Sequence, residues 1–123
     1  MKKILFIEDE TTLQETLGER LKREGYEVVS AMDGETGLSL AYEGRPDLIL
    51  LDILLPVKDG FEVLKEIKSD KRTKDIPVII LTNRKSAEDI EKVLHLGATN
   101  YLVKTNYKIS EIVEKIESIL SGL

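Results

Sequence analysis

Short apolar runs alternate with amphipathic segments along this chain, and the alternation predicts five strands and five helices. Two of the runs, at 48–51 and 78–81, contain only aliphatic residues, as expected for parallel strands covered on both faces. The predicted strands are 3–7, 27–31, 48–51, 78–81 and 101–103. This order indicates one doubly wound (βα)₅ domain over residues 1–123, a three-layer α/β sandwich with right-handed crossovers.

The helical segments are marked by apolar residues three or four positions apart. Two of them carry a capping-box pattern, Thr12 with Glu15 and Ser86 with Asp89, which predicts where the first and fourth helices begin. In the fourth helix we expect Leu94 to face inward with its apolar neighbours. The clearest apolar stripe belongs to the last helix and consists of Ile109, Ile112, Val113, Ile116, Ile119 and Leu120.

Composition and charge narrow the class of protein. The chain has 123 residues, no cysteine and a net charge of −5 from 18 basic and 23 acidic side chains. A domain of this length needs no disulfide, and the acidic balance argues against direct nucleic-acid binding. No apolar run is long enough for a membrane span or a signal peptide. We therefore expect a cytoplasmic protein.

Chemically active side chains stand where four of the predicted strands end. These residues are Glu8 with Asp9, Asp52, Thr82 and Lys104. Since the carboxyl ends of parallel strands open onto one edge of the sheet, where ligands bind, we expect these residues to meet in one cleft. Three carboxylates, a hydroxyl and an ammonium are suited to a divalent cation and a phosphoryl group.

The three carboxylates predict a magnesium site. Asp52 ends a buried strand, and a carboxylate there is costly unless it is satisfied. Repulsion from Asp9 and Glu8 adds to that cost. Mg²⁺ relieves the conflict because it prefers oxygen ligands, commonly one or two carboxylates with water and phosphate oxygens.

The same cleft suits phosphoryl transfer to a carboxylate. Asp52 is placed to become an aspartyl phosphate. Such a reaction depends on positioning and on neutralising the equatorial oxygens. Lys104 supplies a positive charge for this, and Thr82 a hydroxyl hydrogen bond.

The joint pattern over the whole chain resembles the response-regulator receiver domain of two-component systems. It comprises Phe6-Ile7-Glu8-Asp9-Glu10, Leu51-Asp52-Ile53-Leu54-Leu55-Pro56 with Asp59-Gly60, Leu81-Thr82, and Gly97-Ala98-Thr99-Asn100-Tyr101-Leu102-Val103-Lys104. The resemblance implies the flavodoxin-like strand order 2-1-3-4-5. It also implies a sensor histidine kinase or phosphotransfer protein as phosphodonor, and a downstream effector domain or protein as the second partner.

The resemblance assigns roles around the metal. Asp52 is then the phosphoacceptor and a metal-site residue, and Asp9 is a direct Mg²⁺ ligand. Glu8 acts on the metal largely through water, and the backbone carbonyl of Leu54 is the third protein ligand.

The resemblance also assigns a switch. Thr82 and Lys104 hold the phosphoryl oxygens, and Tyr101 is the aromatic residue whose rotamer follows the Thr82 hydroxyl. The alternative for Tyr101 is an ordinary strand aromatic with a hydrated hydroxyl. Phosphorylation is then expected to change the face formed by the fourth helix, fifth strand and fifth helix. A receiver of this kind catalyses its own phosphorylation and dephosphorylation without being a stand-alone enzyme.

The chain departs from the family pattern at three positions. Glu8 stands where aspartate is common, and Leu54 offers no polar side chain two residues after the acceptor. Thr105 replaces the usual proline after Lys104. A cis bond before threonine costs roughly 3 kcal/mol, so we expect a trans bond and a rerouted loop over 105–108.

Two other functional classes compete with a receiver. A phosphohydrolase also uses an aspartyl phosphate, but it commonly has an acid at the position of Leu54. A nucleotide- or flavin-binding protein is disfavoured because no glycine-rich phosphate loop follows the first strand. The lone histidine, His95, has no partner at ligand spacing and is interpreted as a surface residue. The sequence leaves open whether the receiver is free-standing or part of a longer regulator.

Overall fold

Strands and helices alternate strictly in a computed structural model that describes residues 1–122. The strands are β1 (Lys3–Ile7), β2 (Glu27–Ala31), β3 (Leu48–Leu51), β4 (Val78–Thr82) and β5 (Asn100–Val103). The helices are α1 (Thr11–Arg23), α2 (Gly34–Gly44), α3 (Gly60–Ser69), α4 (Ala87–His95) and α5 (Ile109–Leu120), and a 3₁₀ turn covers Lys104–Asn106. Every predicted strand is confirmed to within one residue. The last residue of the predicted domain, Leu123, lies outside the described residues.

All five strands form one parallel sheet in the order β2-β1-β3-β4-β5. The predicted order is therefore confirmed. The chain starts in β1, steps outward to β2, and returns across β1 to build the other half of the sheet. The carboxyl ends of β1 and β3, on either side of this reversal, lie next to each other, and this is where open α/β sheets bind ligands.

Each face of the sheet is covered by helices. Alternate strand residues point to opposite faces, so Leu5 and Ile49 pack with α2, α3 and α4, whereas Ile4 and Leu48 pack with α1 and α5. The three inner strands, β1, β3 and β4, are consequently buried on both sides. This rigid layer fixes the positions of the residues that follow the strands.

Two local predictions were wrong. The first helix begins at Thr11 after Glu10, which makes no side-chain capping bond. Thr12 already lies inside the helix, so its hydroxyl cannot cap it. Leu94 is exposed, and Val93 is the buried residue of α4. Successive helical residues point about 100° apart, and the contact of α4 with the core is too narrow to include both.

The capping box predicted for the fourth helix is confirmed at Ser86 but not at Asp89. Ser86 is the N-cap of α4, and its hydroxyl accepts a hydrogen bond from the backbone N–H of Asp89 at 3.1 Å. The Asp89 carboxylate does not return the bond to Ser86. It instead accepts a bond from the Arg84 guanidinium at 2.8 Å.

The helices of the described chain are short, with 13 residues in α1 as the longest. Within residues 1–122, none is long and apolar enough to cross a membrane.

Candidate functional site

The polar side chains predicted at the strand ends lie at one edge of the sheet. Glu8 follows β1, Asp52 follows β3, Thr82 is the last residue of β4, and Lys104 follows β5. These four strands are neighbours in the sheet. Residues that are far apart in the sequence therefore share one cleft, as the strand pattern predicted.

Three carboxylates form a cluster at the centre of this edge. One carboxylate oxygen from each of Glu8, Asp9 and Asp52 lies within 4.8 Å of the others. Glu8 is 0% exposed and Asp52 is 4% exposed, whereas Asp9 faces solvent. Two of the three negative charges are thus largely withdrawn from water.

Lys104 reaches across the sheet edge to this cluster. Its Nζ donates a hydrogen bond to Asp52 Oδ2 at 2.9 Å and lies 2.8 Å from Glu8 Oε1. Glu8 Oε1 has no hydrogen-bond partner among the described residues, so the contact with Lys104 is described as an ion pair. A third carboxylate, that of Glu10, is 3.5 Å away. One ammonium is therefore shared among several carboxylates.

The electrostatics of the cluster follow from its burial. Burial raises the pKa of Glu8 above its ordinary value, although the Lys104 ammonium opposes the shift. For Lys104, burial favours the neutral amine, but contacts with Glu8 and Asp52 outweigh it and raise the pKa of the ammonium. Lys104 is held in its charged form, while the carboxylates still exceed the positive charge available to them.

The backbone around Asp52 positions its carboxylate. The Asp52 N–H donates to the carbonyl of Ile7 at 3.1 Å, which continues the β1–β3 pairing past the end of the strand. The Leu54 N–H donates to Asp52 Oδ1 at 3.2 Å. Gly60 packs directly on the Asp52 carbonyl, and a Cβ at that position would overlap with it. The first turn of α3 therefore requires glycine there.

Thr82 and Tyr101 are connected through the loop after β4. The Arg84 N–H donates to Thr82 Oγ1 at 3.4 Å, and the Tyr101 hydroxyl donates to the Arg84 carbonyl at 2.6 Å. Thr82 is fully buried, and its hydroxyl is engaged with its own loop rather than with Asp52. Both side chains thus contact one backbone unit, that of Arg84.

Sequence reasoning missed Glu10, Arg84 and Gln14. In the sequence, Glu10 is an acidic residue beside a predicted helix, and Arg84 is a charged residue in a predicted loop. Gln14 had a visible signal, because it precedes Leu17 by three residues and Leu21 by seven, the spacing of the buried face of α1. The buried residues of α1 include Gln14.

The chain resembles a known family over a stretch that includes residues of all five strands and the cleft residues. A sequence model described as the response regulator receiver domain matches residues 4–117. This chain belongs to that family. The predicted resemblance is confirmed, and with it the assignment to two-component systems.

Individual relatives cover nearly all of this receiver. The chain is 37% identical over 120 residues to the DNA-binding dual master transcriptional regulator RpaA of a Synechocystis species, covering 98% of the chain and 49% of RpaA. It thus spans about half the length of that relative. A CheY-like receiver from Methanospirillum hungatei is 30% identical with a TM-score of 0.92, covering 99% of this chain and 95% of that one. The Mn²⁺-bound form of response regulator Rcp1 is 34% identical with a TM-score of 0.83, covering 96% and 93%.

The residues of this receiver fit a hard divalent cation. The donor set consists of carboxylate oxygens from Glu8, Asp9 and Asp52, the ligand type that Mg²⁺ prefers and Mn²⁺ shares. The buried Glu8 Oε1 has no hydrogen-bond donor within the described residues. A cation would supply the positive charge that Lys104 alone cannot.

The departure at Thr105 has the predicted outcome. The described backbone contains no cis peptide bond, so Lys104-Thr105 is trans. The chain then makes a 3₁₀ turn at Lys104–Asn106 before α5 begins at Ile109. This turn occupies the connection in which a rerouted loop was predicted, and Lys104 still reaches Asp52.

Proposed function

We propose that this receiver accepts a phosphoryl group on Asp52 from a sensor histidine kinase or a phosphotransfer protein. The observation that carries the proposal is the position of Lys104, whose ammonium bridges Asp52 and Glu8 beside the exposed Asp9. A structural ion pair needs one carboxylate, and here several converge on one ammonium next to an opening. We infer that residues 1–123 act as one receiver domain.

The chain's own groups account for the transfer. A carboxylate oxygen of Asp52 attacks phosphorus, and the bond from phosphorus to the donor's histidine nitrogen breaks. The electron pair stays on that nitrogen, which takes up a proton, and Asp52 becomes an acyl phosphate. Lys104 turns from the carboxylate to a phosphoryl oxygen, and Thr82 donates its hydroxyl to another. When water attacks the same phosphorus, the bond from phosphorus to the Asp52 oxygen breaks, the electron pair returns to the carboxylate, and inorganic phosphate leaves. The domain thus catalyses both steps on itself without being a stand-alone enzyme.

Mg²⁺ is the proposed cofactor of the site. Asp9 and Asp52 would hold it directly with the backbone carbonyl of Leu54, and Glu8 would act through water. When bound, the ion neutralises the phosphoryl oxygens during transfer. Leu54 contributes only its backbone, since its side chain is apolar and 52% exposed.

The proposed output is a change at the face formed by α4, β5 and α5. Thr82 Oγ1 accepts a bond from the Arg84 N–H, and a turn of the Thr82 side chain toward a phosphoryl oxygen would break that bond. The Arg84 carbonyl accepts the bond from Tyr101, so the two side chains are coupled through the backbone on either side of the Arg84 Cα. Amide NMR spectra recorded before and after phosphorylation should change at Arg84 and Tyr101 as well as at Asp52. Changes confined to Asp52 and its neighbours would contradict the switch.

The remaining partners follow from the family. We propose a downstream effector domain or protein that reads the α4-β5-α5 face. The relative RpaA is named as a DNA-binding regulator, but this chain spans only half of it and carries a net charge of −5. Direct nucleic-acid contact is therefore not proposed for the receiver itself. We propose a cytoplasmic location, in which the kinase's phosphodonor is accessible.

Intact-mass spectrometry tests the proposed function. Acetyl phosphate with Mg²⁺ should add one phosphoryl group to the wild type and none to Asp52→Ala, and a chelator should prevent the addition. Asp47→Ala is the matched control, because Asp47 flanks the opposite end of β3, and it should be labelled normally. Metal-independent labelling, or labelling that survives Asp52→Ala, would overturn the proposal.

A further inference from the structure

A buried glutamine lies beneath the metal loop. Among the described residues, the buried polar or charged side chains are Glu8, Gln14, Asp52, Thr73 and Thr82. Three of them belong to the cleft, and Thr73 is a turn residue whose hydroxyl donates to the Ile67 carbonyl. Gln14 is 6% exposed and has no role in the phosphoryl chemistry above.

The Gln14 amide sits where β1 and β2 end. Its Nε2 lies 2.8 Å from the Phe6 carbonyl oxygen, 3.1 Å from that of Ala31 and 3.2 Å from that of Glu8. Three acceptors around one NH₂ group fix which way the amide points. Its Oε1 is buried and has no hydrogen-bond partner in the described part of the chain.

Gln14 holds both ends of the loop that carries the metal ligands. Its side chain donates to the carbonyl of Glu8. Its backbone N–H makes the first i→i−4 bond of α1, to the carbonyl of Glu10 at 3.0 Å, as any residue other than proline would do here. The Glu10 N–H donates in turn to Glu8 Oε2 at 3.0 Å. The segment 8–10 is therefore pinned on both sides of Asp9.

Asp9 depends on this arrangement. Its side chain is exposed, and within residues 1–122 its carboxylate has no hydrogen-bond or ion-pair partner, whereas Glu8 and Asp52 are tied to Lys104. Its approach to the other two carboxylates is set by its backbone. The carbonyls on either side of Asp9 are the ones that Gln14 anchors.

A buried amide is less favourable at this position than an apolar side chain, because its oxygen lies out of water without a hydrogen-bond partner among the described residues. The other buried residues of α1 are Leu17, Gly18 and Leu21, and an aliphatic side chain would extend that apolar face. A buried acceptor without a hydrogen-bond partner destabilises the folded state. The amide's donors, which reach three carbonyls at the loop, are what an aliphatic residue lacks.

We propose that Gln14 is a positioning residue for the divalent-cation site. It holds the segment 8–10 so that the Asp9 carboxylate meets those of Glu8 and Asp52. This inference rests on the proposed function for its metal ion, and it adds a residue outside the ligand set. Outer groups that orient ligands commonly change metal affinity by about tenfold or more when removed.

The test compares metal affinity in the full chain of two variants. Gln14→Met keeps the length of the side chain and removes its donors. Thr73→Val is the matched control, because it also deletes a buried hydrogen bond to a backbone carbonyl, in the turn after α3. Titration calorimetry with Mg²⁺, and with Mn²⁺ as a second probe, should show about tenfold weaker binding for Gln14→Met and unchanged binding for Thr73→Val. Equal affinity of Gln14→Met and wild type, or equal weakening in both variants, would overturn the proposal.

A measurement on the wild type covers the case in which Gln14→Met does not fold. Gln14 is the only glutamine in the chain, so selective ¹⁵N-glutamine labelling isolates its side-chain amide. Its signals should shift on Mg²⁺ addition with the same concentration dependence as the Asp9 backbone amide, and an unmoved side-chain signal would overturn the inference. Absence of any Mg²⁺ binding by the wild type would instead overturn the metal site of the proposed function, and this inference with it.

Discussion

Two partly buried lysines at opposite edges of the sheet have opposite surroundings. At the carboxyl edge, Lys104 Nζ lies 2.9 Å from Asp52 Oδ2 and 2.8 Å from Glu8 Oε1. At the other edge, Lys68 lies in the last turn of α3, and its Nζ donates to the carbonyl oxygens of Ile76 at 2.7 Å and Lys74 at 3.1 Å. One ammonium is surrounded by full charges and the other by neutral dipoles.

The difference decides the direction of each lysine's pKa. Burial lowers the pKa of Lys68, with only weak opposition from Asp75. Burial acts in the same direction on Lys104, but Glu8 and Asp52 reverse the shift and raise its pKa. At the edge near Lys68, two hydrogen bonds to carbonyls hold the ammonium, and Asp75 does not reverse the effect of burial. The edge near Lys104 carries an excess of negative charge, which suits a site that awaits a cation.

The largest expected effect comes from deleting each lysine's charge. Lys104→Met leaves buried carboxylates unpaired and should lower the free energy of unfolding by about 3 kcal/mol. Lys68→Met removes two hydrogen bonds to carbonyls and should cost roughly 1 kcal/mol. Urea unfolding at neutral pH without divalent cations measures both. Equal losses of stability in the two variants would contradict the comparison. They would mean that the excess of negative charge around Lys104 adds nothing to the cost of removing its ammonium.

The backbone shows a second contrast between the same two edges. Val57, in the loop after Asp52, has φ +70° and is 81% exposed. Gly97, in the turn before β5, has φ +105°, a conformation that glycine adopts without strain. A β-branched residue such as Val57 is an outlier at positive φ. Strain of this kind tends to gather at functional loops.

Exchanging side chains at these two positions sharpens that contrast. Gly97→Ala should lower the free energy of unfolding by about 1–2 kcal/mol. The new Cβ would lie only 3.3 Å from Lys68 Cγ, and this close contact adds to the loss. Val57→Gly should raise it by roughly 0.5–1 kcal/mol, since relief of strain exceeds the added chain entropy. Thermal and urea unfolding measure both. Destabilisation by Val57→Gly would show that the loop is not strained.

The fold was predictable because its signals are local. The runs 48–51 and 78–81 are apolar throughout, and only a strand covered on both faces accommodates them at that length. The strand order came from the family resemblance and not from periodicity. Leu94 was misplaced because amphipathic spacing gives the direction of a helix face but not its width.

The site was predictable as far as strand ends determine it. Asp52, Thr82 and Lys104 each follow an unmistakable strand, so their meeting was expected. The spacing of Gln14 marked it as buried, but its importance depends on carbonyls from two strands and from the loop after β1, a juxtaposition that only the folded sheet creates. Arg84 was missed for the same reason, since its backbone N–H and carbonyl link Thr82 to Tyr101.

The smallest expected effect concerns one carboxyl group at each edge, because their pKa values are shifted in opposite directions. The Arg72 side chain and N–H bond Asp70 at 2.8–2.9 Å and lower the pKa of that carboxyl to about 2. Burial raises the pKa of Glu8.

The two shifts have opposite consequences for stability. Because its folded-state pKa is depressed, Asp70 contributes stability above its unfolded value near 3.9, and this is lost as pH falls through about 2. Because its pKa is raised, Glu8 contributes stability below its unfolded value near 4.3, and this is lost as pH rises through its folded-state value. Carboxyl ¹³C NMR titration in chelator should therefore give a midpoint near 2 for Asp70 and a midpoint above the ordinary glutamate value for Glu8. Arg72→Ala should return Asp70 toward its ordinary value, and Lys104→Met should move Glu8 further upward. If Lys104→Met left the pKa of Glu8 unchanged, the Lys104 ammonium would not be the group that limits the rise of this pKa. That result would contradict the excess of negative charge assigned to the carboxyl edge.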